Sequence, residues 1–150
     1  DTVNVKASVT GTVTHHQTAT STVNSSSDFT IGGLASGSTQ RTVDGKAAGN
    51  ESTTGTNKSG VAFTAVRAAG DTTTGLKIPI TSGEPTFPTA GTVIREMRAT
   101  VTLAGSAAAT SDRREVITYD GSTTAKVVIT QDGVIKTCTK PLPHGRLTCQ

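Results

Sequence analysis

The 150-residue chain is 33% apolar, 3% aromatic and 17% charged, with 16 glycines and a formal net charge of +3. That length suits one domain whose core is built from Val, Ile, Leu and Ala, and abundant Thr and Ser favour β-structure with hydroxyl-bearing strands. The basic residues are scattered and stacking aromatics scarce, which argues against a nucleic-acid surface, and no run approaches the ~20 apolar residues of a membrane helix.

The first element covers residues 2–14. Val3, Val5, Ala7, Val9, Gly11 and Val13 share one parity, and Thr2, Asn4, Lys6, Ser8, Thr10 and Thr12 the other. An extended strand with that pattern has one small apolar face and one polar face. The sequence begins at Asp1 without methionine or an apolar leader, the form expected of a mature exported chain. His15 and His16 are adjacent, so in a strand they point to opposite sides and do not converge on one substrate or metal.

Further strands are predicted over residues 19–24 and 27–31. Residues 32–60 are rich in turn formers and lack sustained periodicity, which predicts a long loop or loose insertion. Asn24, Asn50 and Asn57 each head an Asn-x-Ser triplet and read as exposed turn sequences. Strands are predicted again at 61–67 and 75–80, followed by a proline-bracketed connection, SGEPTFPTAG, that carries Phe87. Residues 93–101 fit a short helix by local propensity and a strand by alternation; the continuation TVTLAG favours a strand over 93–103. Asp112-Arg113-Arg114-Glu115 reads as a charged turn before a strand at 114–119, and another strand follows at 124–130.

In KVVITQDGVIKTCT, Asp132-Gly133 between two β-rich runs predicts a two-residue hairpin with Gln131 opposite Val134. That register sets Val127 opposite Cys138. If the segment around Pro141, Leu142, Pro143, His144 and Gly145 reverses the chain, Cys149 also lies opposite Cys138. A meander over 124–130, 134–139 and 146–149, closed by a Cys138–Cys149 disulfide, follows. Zinc would need about four ligands, and His144 stands alone in the turn, so a disulfide is expected over a metal site. A disulfide in turn implies an oxidising compartment.

Catalytic motifs are missing from the sequence: there is no GxSxG elbow, HExxH helix, phosphate-cradling GxxxxGK[ST] loop or CxxC pair. Glu96, Asp112, Glu115 and His144 form no local acid–base set. A non-enzyme requiring no cofactor or metal is expected.

With these elements placed, VNVKASVTGTV resembles the N-terminal donor strands of bacterial chaperone-usher pilins. The resemblance implies an immunoglobulin-like antiparallel β-sandwich, with residues 1–14 as a strand or donor arm and 15–150 as a single domain. It also implies export through the periplasm to the cell surface and homopolymerisation into a fimbrium by donor-strand complementation, aided by a periplasmic chaperone and an outer-membrane usher. Val3, Val5, Ala7, Val9 and Val13 would face the receiving groove, with Gly11 allowing close approach. The chain departs from that family in carrying both cysteines at its far end and in ending RLTCQ without an aromatic strand. The expected function is a structural subunit of an extracellular pilus or filament that supports adhesion. The alternative is a secreted carbohydrate- or protein-binding module using loops 32–60 and 81–92, with Phe87 as the candidate ligand contact.

Overall fold

A computed structural model describes residues 1–16, 18–81 and 86–150. Nine strands are present among them: β1 Thr2–His15, β2 Ala19–Gly32, β3 Gln40–Thr56, β4 Ala62–Pro79, β5 Ala90–Leu103, β6 Ala109–Tyr119, β7 Thr124–Gln131, β8 Val134–Pro141 and β9 Thr148–Cys149. All belong to one antiparallel sheet in which spatial order follows chain order. The all-β expectation is met, as is the terminal hairpin with its Cys138–Cys149 disulfide. The two-sheet arrangement is not what is observed: the nine strands form a single meander.

The reason lies in what the two faces carry. Opposed residues of an antiparallel ladder share a face, and alternation of partly buried and exposed positions through β2 and β3 marks the more sheltered one. Its middle is filled by Ser25, Ser27, Ala47, Gly49 and Ala69, side chains too short to reach a second layer 10 Å away. Among the described residues, apolar residues become fully buried only in β6–β8. There Ile117, Ala125, Val127, Ile129 and Cys138 are buried, with Val93, Tyr119 and Leu142 packed against them. The chain consequently exposes 9678 Å², whereas a compact monomer of this mass would expose about 7,100 Å².

Several sequence expectations are corrected. Residues 32–60 are not a loose insertion, because β3 occupies most of that span and pairs along both sides. Its glycines obscured it, yet Gly45 serves the strand: φ is +156°, and an added Cβ would collide with the Asp28 carbonyl oxygen and come within 2.7 Å of Phe29 Cα. The register shifts at this point between Val43 and Gly45, as at a β-bulge. β2 runs unbroken through Ser25 and Ser26, and β4 bridges 68–74, joining segments expected to be separate. Asp112-Arg113-Arg114-Glu115 lies inside β6 and is not a turn. Asn24 and Asn50 face one another across β2 and β3; of the three triplets only Asn57 heads a turn, accepting hydrogen bonds from the Ser59 and Val61 amides at 2.9 and 3.0 Å.

Other local readings hold. β5 is a strand throughout 93–101. The Asp132-Gly133 turn has both residues at positive φ, 50° and 83°, and sets Gln131 opposite Val134, Val127 opposite Cys138 and Cys138 opposite Cys149. Asp132 adds a tie that sequence spacing did not reveal. Its carboxylate accepts from Gln131 Nε2 at 3.0 Å, the Asp112 amide at 2.6 Å and Ser111 Oγ at 3.1 Å. These bonds, led by Gln131, hold its carboxyl below the ordinary aspartate range.

The uneven core makes a stability prediction. Ile129 is 5% exposed and Val9 60% exposed. In urea denaturation Ile129→Ala should cost about 2–5 kcal/mol, and Val9→Ala less than about 0.5 kcal/mol.

Candidate functional site

β1 forms one border of the sheet. It pairs with β2 without a register shift, from Thr2 opposite Gly32 to His15 opposite Ala19, and no strand pairs with its other side among the described residues. In such a ladder alternate residues direct N–H and C=O to opposite sides, so half of the strand's 14 residues present theirs outward. Every residue of β1 is exposed. Val3, Val5, Ala7, Val9, Gly11 and Val13 do share one face, opposite Ile31, Phe29, Ser27, Ser25, Val23 and Ser21. The resulting row is apolar at the rim and becomes hydroxyl-rich one strand inward.

Two polar attachments hold β1 to β2. On the polar face Asn4 Nδ2 donates to Asp28 Oδ1 at 2.7 Å, while Lys6 Nζ lies 3.3 Å from Asp28 Oδ2. These contacts, Asn4 first, hold the Asp28 carboxyl below the ordinary aspartate range. On the opposite face His15 Nε2 is 3.0 Å from Ser21 Oγ, which lies 2.7 Å from Thr53 Oγ1. Ser21 is 1% exposed. With its hydroxyl engaged on both sides, this serine fastens the ends of β1, β2 and β3 together and offers no open approach to a substrate carbonyl. The hairpin register carries the missed signal: extending it from the His15–Ala19 pair places Lys6 opposite Asp28 and Val13 opposite Ser21.

Six charged residues of β4–β6 form cross-strand pairs. Asp71 with Arg95, Glu96 with Arg114 and Arg98 with Asp112 stand at 3.8, 3.0 and 3.6 Å, and each pair is directly opposed in the ladder. All are exposed, so each adds little energy; their service is to penalise a slipped register. Glu96 and Asp112 are therefore engaged with arginines of the neighbouring strand, while Glu115 accepts from Arg113 Nε, two residues along β6, at 2.9 Å. Among the described residues no cluster of three metal-ligating side chains occurs, and no helix is long and apolar enough to cross a membrane.

At the opposite border, β9 covers only part of β8. Thr148 and Cys149 pair with Thr139 and Cys138, and the Gln150 amide donates to the Thr137 carbonyl at 3.0 Å. Val134, Ile135 and Lys136 lie beyond that cover, with Ile135 68% exposed. Phe87, in the connection before β5, is half-buried, while Pro85 beside it falls outside the described residues.

Two outcomes are expected from the β1 attachments. Ser21→Ala leaves His15 and Thr53 without their shared partner and should lower unfolding stability by about 1–3 kcal/mol. The lowered Asp28 carboxyl stabilises the fold above the ordinary aspartate value, and this contribution is lost as pH falls through its depressed folded value. The gap in urea midpoint between wild type and Asp28→Asn should thus hold at neutral pH and close in strong acid.

No protein-family model, curated protein or solved structure matches this chain, so the site is defined by its own geometry.

Proposed function

We propose that the protein is a structural subunit of an extracellular filament or surface assembly, joined to its neighbours by β-strand addition along β1 and serving surface attachment. One observation carries this reading: the outer edge of β1. It is 14 residues long, free of proline and bulges, and guarded by a single lysine, Lys6. Natural sheets usually blunt such an edge with charge, proline, shortness or a covering element, because its unpaired amides and carbonyls accept another strand. The Cys138–Cys149 disulfide supports an exported location, since such bonds persist in oxidising compartments.

In the pilin-like form of this proposal β1 leaves its own chain and fills the groove of a neighbouring immunoglobulin-like sandwich. That route first breaks 14 residue pairs with β2. Edge addition keeps them and gains a second ladder, which makes it the better-supported form. The apolar row from Val3 to Val13 then meets side chains of the added strand on the same face, with Val5 and Val9 as leading assembly positions.

Sedimentation velocity over a concentration series tests the proposal. The intact protein should self-associate, and Val5→Lys combined with Val9→Lys should weaken association roughly tenfold or more. Thr64→Lys, at an exposed position of the interior strand β4, should leave it unchanged. A protein monomeric throughout the series, or equal behaviour of both variants, would defeat the reading.

A further inference from the structure

We infer that the strand added to β1 is the β1 of a second copy, running antiparallel about a two-fold axis through Ser8. The inference rests on the strand-addition reading and names its partner.

The lengths of the two borders point to this occupant. A head-to-tail contact would lay β1 against the other border, but β9 and Gln150 already engage β8 from Thr137 to Thr139. What remains is Val134–Lys136 together with Lys140 and Pro141, and proline has no N–H to donate. Such a contact would leave most of β1 unpaired. It would also bring Lys136 and Lys140 toward a strand whose only ionic side chain is Lys6. Among the described strands, only another β1 supplies an open edge of equal length.

Register follows from the side-chain period of two. Opposed residues share a face, so the apolar set stays together only when the two residue numbers sum to an even value. A sum of 16 pairs residues 2–14 with residues 14–2 of the second copy. Val3 then opposes Val13, Val5 opposes Gly11 and Ala7 opposes Val9, so every apolar position meets an apolar residue or glycine. On the polar face Thr2 opposes Thr14, Asn4 opposes Thr12, Lys6 opposes Thr10, and Ser8 meets its own copy. A sum of 18 is equally long but sets Val3 against His15, and a sum of 12 stacks Lys6 on Lys6. The favoured register forms about 13 interchain backbone hydrogen bonds and opposes no like charges.

The product is a continuous sheet of two nine-stranded halves with β1 at its centre. Because the interface is isologous, it closes on itself after two copies. Strand addition along β1 therefore joins copies in pairs.

Cysteine cross-linking reads the register. Under a mild oxidant Ser8→Cys should yield a covalent dimer, because opposed residues lie about 4.5–5.5 Å apart between Cα atoms. Lys6→Cys and Thr10→Cys should each remain uncross-linked alone and form a dimer when mixed. Nitroxide labels at the same three positions report the interchain distances directly, so poor disulfide geometry at one site does not hide the result. All three positions are exposed, and far-UV circular dichroism should match wild type. Association with a dimer formed by Lys6→Cys alone, or with distant labels at Ser8→Cys, would overturn this register while leaving strand addition standing. A chain that stays monomeric would overturn both.

Discussion

The structure depends on one ladder of backbone hydrogen bonds carried in register through nine strands. A single row shows it: Val5, Phe29, Gly45, Thr73, Val93, Ile117, Val127, Cys138 and Cys149 stand opposite one another from the first strand to the last. In a two-layer domain, side chains from a facing sheet would help to hold that order. Here the ladder and its cross-strand side-chain pairs carry it, so a slip by one residue would turn a whole strand over.

Different parts of the sheet guard against that slip by different chemistry. From β6 to β8 the guard is burial, with Ile117, Val127 and Ile129 beneath the disulfide-tied border. In β4–β6 it is charge, because moving Arg98 or Glu96 along its strand brings like charges together. Toward β1 it is polar hydrogen bonding, through Asn4 and Lys6 on Asp28 and through the buried Ser21. The buried core thins along this direction, and the first strand is held chiefly by its backbone ladder and a few polar contacts.

The two borders of the sheet are therefore unlike. One is shortened and closed by β9 and the Cys138–Cys149 bond. The other is long, straight in register and open to pairing. Such asymmetry couples fold to assembly: hydrogen-bonding capacity left unused within the chain is concentrated along one strand, where a partner can satisfy it without disturbing the core.

What local chemistry controls was legible in the order of residues. Alternation from Val3 to Val13 specified a strand with one apolar face, and Asp132-Gly133 specified a two-residue turn because both positions adopt positive φ. From that turn, counting along the strands brought Val127, Cys138 and Cys149 together. The place of β3 came from long-range pairing: its Gly45, Gly49 and Gly55 have low strand propensity but lie between β2 and β4, where close approach favours the smallest residue. The single layer likewise emerged only in the assembled sheet, because layering depends on whether opposed rows of side chains are long enough to meet a second sheet. The same holds for Ser21 and Asp28, whose partners lie on neighbouring strands and become neighbours only once every register is fixed.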